Sequence, residues 1–250
     1  MEPCFLVLER EALMGGNVAK LRRRLRNQIS AMPSVYLPLF GVRNRDFVVE
    51  RGTDVVVEAF PRSGNSFLEA MIRLSAPHLR IAHHSHAAAQ VIYAVRQQIP
   101  SFVIARDPDS AVSSLVVKDS NTFDFDVAFS EYVNFYSSLY PRYASEVRFV
   151  SFDTLKENPH MVVSSILGSM GIRECNLPSV DDVYEFVDEL TRHRTGKQST
   201  SYSPKISQKE ALSLERRKYE VAMSLEKWGC PPKRRDALNL YASILENCFV

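Results

Sequence analysis

Three short runs of this chain hold residues whose types and spacing can do chemistry. Arg62-Ser63-Gly64-Asn65-Ser66 joins a permanent cation, two hydroxyls and a glycine able to turn sharply, directly after the apolar run 55–60. A buried strand that turns through such a stretch into a helix brings the helix's free N–H groups and positive dipole end to the cation, which makes a cradle for an anion such as phosphate. Arg106 closes a second apolar run and is followed by Pro108, which can open a helix, so Ser114 falls two turns in. That pair can hold one phosphate. Between the two runs, RIAHHSHAAAQ (80–90) supplies His83, His84 and His86.

Neutral imidazole near pH 7 can take a hydroxyl proton, so the histidines are candidates for a general base. The same cluster also reads as a polar loop at the start of a helix, or as part of a metal site. No carboxylate or cysteine stands next to it in the sequence to complete a ligand set, and no metal is expected. The run 62–66 is not a Walker A loop, because GxxxxGK[ST] requires a further glycine and a lysine where Phe67, Leu68 and Glu69 stand. A nucleotide or sugar kinase would need that lysine and a magnesium-binding carboxylate, neither of which the motifs place.

The elements that must position these groups are legible as alternating periods. Runs 54–60, 101–105 and 147–152 are short, β-branched and continuous, as strands buried on both faces of a parallel sheet are. Helical patterns follow them at 66–74, 109–117 and 126–140, and Asn158-Pro159 opens another that Gly171 stops. The order predicts βαβ units, hence an α/β fold with a central parallel sheet flanked by helices. The C-terminal part, about 179–250, reads as helical, with one helix over 207–228 and a last one after Pro231-Pro232. In AKLRRRLRNQI (19–29), Leu21, Leu25 and Ile29 repeat every four residues. Those three predict an apolar face against the protein and a basic face in solvent, although such a helix can also meet an anionic membrane or a partner.

Bulk properties bound the rest. At 250 residues one core can still grow, so a single domain over 1–250 is expected. A net charge of +2 gives no reason to expect nucleic-acid binding, and no run approaches the length of a membrane span. The four cysteines, Cys4, Cys175, Cys230 and Cys248, are too scattered for a zinc site or a disulfide scaffold. With no targeting signal legible at the N-terminus, a cytoplasmic protein is expected.

FPRSGNSFL followed by RDPDSAVSS resembles the two cofactor-binding motifs of sulfotransferases that use 3′-phosphoadenosine 5′-phosphosulfate (PAPS). VSFDTLKENPHMVVSSILGSMGI (150–172) resembles the strand and helix that follow them, so the likeness covers about 53–172. It implies a P-loop-like sulfotransferase architecture and sulfuryl transfer from PAPS to a hydroxyl or amine of a small-molecule or glycan acceptor, with no metal. By the resemblance, Arg62, Ser63, Gly64, Asn65 and Ser66 wrap the 5′-phosphosulfate, Phe67 meets the adenine, and Arg106 with Ser114 grips the 3′-phosphate. His84-Ser85-His86 matches the family's Lys-Thr-His-like segment, which makes His86 the base and puts His84 at the lysine position. Arg62 stands where many relatives have lysine. Arg194, Gly196 and Lys197 correspond to the closing segment over the 3′-phosphate, although a Gly-x-x-Gly-x-Trp-like run is missing there. A non-catalytic binding module that keeps the cradle is the other alternative.

Overall fold

A computed structural model describes residues 16–42, 44–173, 175–195 and 208–250. Strands β1 (Val55–Ala59), β2 (Ile81–His83), β3 (Ser101–Ala105) and β4 (Val147–Ser151) form one sheet in the order β2-β1-β3-β4. Every pairing is parallel, with Val57 opposite both His83 and Phe102 and Ile104 opposite Val150. Both faces are covered, as an all-parallel sheet requires. Val55, Val57, Ala59, Phe102 and Ile104 point into one buried layer, and Val56, Val103 and Ala105 into the other. The α/β architecture expected from the alternating periods is the one observed.

Helices α1 (Gly16–Ile29) and α2 (Pro33–Gly41) precede the sheet, α3 (Asn65–Ser75) follows β1, and α4 (Ala88–Arg96) follows β2. Beyond β3 come α5 (Pro108–Lys118) and α6 (Phe125–Ser137), and beyond β4 come α7 (Phe152–Glu157), α8 (Pro159–Ser169) and α9 (Val180–Thr195). The last two, α10 (Gln208–Trp228) and α11 (Pro232–Leu245), return to α5 and α6. There Trp228 stacks on Phe129, with ring centroids 5.4 Å apart. The final residues lie along β4, where Phe249 N–H donates to Phe149 O and Ser151 N–H donates to Val250 O. Among the described residues no helix is long and apolar enough to cross a membrane.

From β1 the chain crosses to β2 on one side and returns to β3 on the other. The sheet therefore has a switch point between the carboxyl ends of β1 and β3, where open α/β sheets form a crevice. Arg62 leaves β1 there and Arg106 leaves β3.

Helix α1 overturns one expectation. Leu21 and Leu25 lie 57% and 55% exposed, with Val18 beside them, whereas Ala19, Arg23, Arg26 and Ser30 face the protein. Of the three periodic residues only Ile29 packs against the core; Leu21 and Leu25 face solvent. Leu21→Gln and Leu25→Gln should each shift stability by less than about 0.5 kcal/mol, as surface changes do, while Ala19→Gln on the inner face costs about 1–3 kcal/mol by overpacking. Urea unfolding of the three variants checks this; a large loss from either leucine would put the apolar stripe inside.

Candidate functional site

The turn after β1 is built around two left-handed residues, Arg62 at φ 68° and Gly64 at φ 86°. A Cβ on Gly64 would stand 3.1 Å from the Phe152 ring, so glycine is required by both conformation and space. Gly64 is also the N-cap of α3 and supplies no capping side chain, whereas the Asp107 carboxylate caps α5 by accepting from Ser110 N–H. The first N–H groups of α3 thus keep their capacity to meet an anion.

Two hydrogen bonds join the strand-end motifs. Arg62 Nε donates to Ser114 Oγ at 3.2 Å, and Arg106 Nη1 donates to the Arg62 carbonyl at 2.5 Å. The Arg106 guanidinium also lies 4.4 Å from the centre of the Phe152 ring. Residues 52 positions apart in sequence therefore form one cationic corner at the switch point.

The other residues of the turn have different surroundings. Ser63 is fully buried beside Tyr136, and its Oγ makes no well-formed hydrogen bond. Asn65 is buried as well. Oriented to satisfy both ends of its amide, it donates to Val57 O and accepts from His84 N–H, each at 3.2 Å, which ties the start of α3 to β1 and to the histidine turn. Ser66 Oγ meets His84 Nε2 at 2.8 Å. Phe67 is 8% exposed and lies against Tyr184 of α9, their centroids 5.5 Å apart. The side chain of Arg194, and Gly196 and Lys197 altogether, fall outside the described residues.

The histidines follow β2, which is only three residues long. His84 and His86 have φ of 58° and 48°, and with Arg62 and Gln98 they are the non-glycine residues at positive φ among those described. Three of these four are the catalytic candidates read from the sequence. Strain of about 1–3 kcal/mol at such a position persists only where the surroundings over-determine it, and it gathers at functional sites.

Glu58 on β1 provides part of that determination. Its carboxylate, without exposed surface, accepts from Ser85 N–H at 2.7 Å, His86 N–H at 3.0 Å and Gln90 Nε2 at 2.8 Å. Burial pushes this carboxyl up to about 7 against the pull of those bonds. On the outer side, Arg26 Nη2 and Tyr36 Oη both donate to Ser85 O, at 2.7 and 3.0 Å.

His86 Nδ1 sits 2.8 Å from Ala59 O, a carbonyl that can only accept, so Nδ1 carries the proton and Nε2 keeps its lone pair. Burial lowers the His86 pKa to about 4; the bond to Ala59 opposes this, and the charges of Arg26, Arg23 and Arg62 add to it. The neutral base form is thereby held, at the cost of basicity compared with an imidazole titrating near the ordinary value.

The expectation that no carboxylate accompanies the histidines is corrected by α3. Glu69, fully buried, brings Oε1 to 3.1 Å from His83 Nε2 and Oε2 to 3.4 Å from His84 Nδ1, and the two Nδ1 atoms are 2.6 Å apart. Donor atoms of Glu69, His83 and His84 all lie within 4.8 Å of one another, close enough for a metal. Arg73 Nε, however, donates to Glu69 Oε1 at 2.8 Å and already supplies that carboxylate with a cation. The cluster works as a chain of hydrogen bonds from Glu69 through the histidines to Ser66. Sequence spacing hid Glu69 because its partners lie fourteen and fifteen positions on, across a strand.

No protein-family model and no curated protein matches the chain. Among solved structures it is similar to the crystal structure of mouse sulfotransferase SULT7A1 complexed with PAP, at 12% sequence identity and a TM-score of 0.41, over 74% of this chain and 92% of that one.

The His86 environment is directly measurable. Its imidazole should titrate with a midpoint near 4 in ligand-free protein, followed by side-chain NMR. Because the folded-state pKa lies below the unfolded one, stability from this group is present above about pH 6.5 and is lost as pH falls toward 4. A midpoint near 6.5 would mean that the ring is solvated and that the burial argument fails.

Proposed function

We propose that this chain is a PAPS-dependent sulfotransferase that transfers a sulfuryl group to a hydroxyl or amine acceptor. The observation that carries this reading is the cationic corner, in which Arg62 binds Ser114 and Arg106 binds the Arg62 carbonyl beside the uncapped start of α3. Two anion-holding groups at one switch point suit a ligand with two phosphate positions better than a single phosphate.

The residues present fit such a donor. Arg62, the α3 N-terminus and Ser66 would hold the 5′-phosphosulfate, while Arg106 and Ser114 would hold the 3′-phosphate. Gly64 keeps the floor of the cradle free of a side chain. The donor, as substrate, supplies an activated sulfuryl group. His86 Nε2, with its lone pair free, takes the acceptor proton as the acceptor oxygen or nitrogen bonds to sulfur. The bond from sulfur to the bridging oxygen breaks in line, and the charge left on the phosphate is met by the Arg62 guanidinium and the helix N–H groups. His84, hydrogen-bonded to Ser66, positions the cradle and stands where an extra cation would act. This scheme needs no metal, and we extend the reading to one sulfotransferase domain over the whole chain.

Two measurements test it. In thermal or chemical unfolding, 3′-phosphoadenosine 5′-phosphate should stabilise the protein by about 2.7 kcal/mol at a hundredfold excess over its Kd. ATP with magnesium should do less, and an equal or larger effect from ATP would favour a kinase. In a sulfate-transfer assay, His86→Ala should lower turnover by on the order of 100- to 10,000-fold while the affinity for 3′-phosphoadenosine 5′-phosphate is kept. Normal turnover in His86→Ala with loss in His84→Ala would move the base to His84.

A further inference from the structure

Helix α1 turns Leu21 and Leu25 to solvent and two of its arginines, Arg23 and Arg26, inward, while Arg22 and Arg24 stay exposed. Orienting it this way forgoes burial of Leu21 and Leu25 and takes two guanidiniums partly out of water, both unfavourable by themselves. The inward residues wall a narrow pocket together with Pro61 of the β1 turn and His86. The pocket as a whole leaves about 10 Å³ in the ligand-free protein, the space of one water-sized group, so a ligand group has to enter it from its open mouth.

Among the residues that line this pocket two cations, Arg23 and Arg26 of α1, face one carboxylate, Glu131 of α6, and the neutral His86; Glu58 lies behind the histidine turn, where its oxygens are taken by the N–H groups of Ser85 and His86. Arg23 uses only Nε on Glu131, at 2.6 Å, and its guanidinium also lies 4.9 Å from the centre of the Phe123 ring. Arg26 uses Nε and Nη2, on Tyr36 Oη and Ser85 O. Both arginines thus keep N–H donors beyond their bonds to described residues. A second, adjacent cavity of about 330 Å³ has Asn27 and Glu131 in common with the first and is otherwise walled by Asp126, Arg24 and Lys233, with neither Arg23, Arg26 nor His86 in its lining; it is spacious enough for the body of a small molecule.

We propose that this pocket receives the acceptor and selects an anionic one: a hydroxyl compound whose carboxylate, phosphate or sulfate group is held by Arg23 and Arg26 while its hydroxyl meets His86 Nε2. The proposal rests on the sulfotransferase reading for the fate of the hydroxyl, but the anion preference stands on the pocket alone. It also answers the weakness of His86 as a base. Arg26 and Arg23 are among the groups that depress its pKa, and an anion seated between them offsets that push.

The test is binding of matched probes to the whole chain, with and without saturating 3′-phosphoadenosine 5′-phosphate. The probes are 4-hydroxybenzoate against 4-hydroxybenzamide, and glucuronate against glucose. In at least one pair the anion should bind ten-fold or more tightly at low salt and shift the His86 imidazole signal. Arg26→Gln should cut that preference to three-fold or less, and Glu131→Gln, which removes the opposing carboxylate, should raise it. Arg23→Gln should act like Arg26→Gln where it folds without its partner. Equal binding of charged and neutral probes, binding of none, or a preference unchanged in both Arg26→Gln and Glu131→Gln overturns the proposal. If the preference holds but 3′-phosphoadenosine 5′-phosphate does not bind, the sulfotransferase reading fails and the anion pocket survives.

Discussion

Glu58 lies on an inner strand of the sheet with no exposed surface, and both of its oxygens are engaged by the turn that carries the histidines. A carboxylate taken out of water costs several kcal/mol unless it is fully hydrogen-bonded, so the N–H groups of Ser85 and His86 and the amide of Gln90 must stay where they are. That requirement holds His86 in a left-handed conformation it would otherwise leave. It also puts the ring within reach of Ala59 O, and the bond formed there decides which nitrogen is bare. Gln90 passes the constraint outward, since its Oε1 accepts from Val49 N–H at 3.0 Å and fixes the segment that leads into β1. The position, conformation and tautomer of the candidate base thus follow from one acid placed in an apolar strand.

The same turn is gripped from outside by Arg26 and Tyr36, which explains why α1 lies as it does. With Arg23 on Glu131 and Asn134 donating to Asn27, the helix is anchored by polar contacts rather than by its leucines. An anchor of this kind is weaker per unit area than an apolar one and leaves charged donors around a pocket.

The sheet was largely legible in the sequence because strands buried on both faces read as unbroken apolar runs, and β1, β3 and β4 do. β2 escaped notice, since three residues ending in histidine carry no period. The placement of the candidate cradle residues was legible as well: Arg62, Gly64 and Ser66 follow the end of one strand, and Arg106 and Ser114 follow the end of the neighbouring one. What spacing could not convey was which groups meet across elements. Glu69 is in the sequence beside the cradle, yet its contact with His83 and His84 depends on β1 pairing with β2. Glu58 did leave a signal, an acid with apolar neighbours throughout 55–60, which a buried strand tolerates only when partners are waiting. The side chains of Ser63 and Asn65 could not be placed from spacing either. As residue types they suit an anion, but the fold turns their side chains into the protein.

Electrostatics links these parts. Around His86 the chain gathers Arg23, Arg26 and Arg62, and their combined charge lowers the ring's affinity for a proton when no ligand is present. Burial is the main cause of that lowered affinity, and the three arginines add to it, so the candidate base is held neutral and weak. If the proposed sites take negative groups, these would offset the smaller, coulombic part of that lowering and leave the burial part in place.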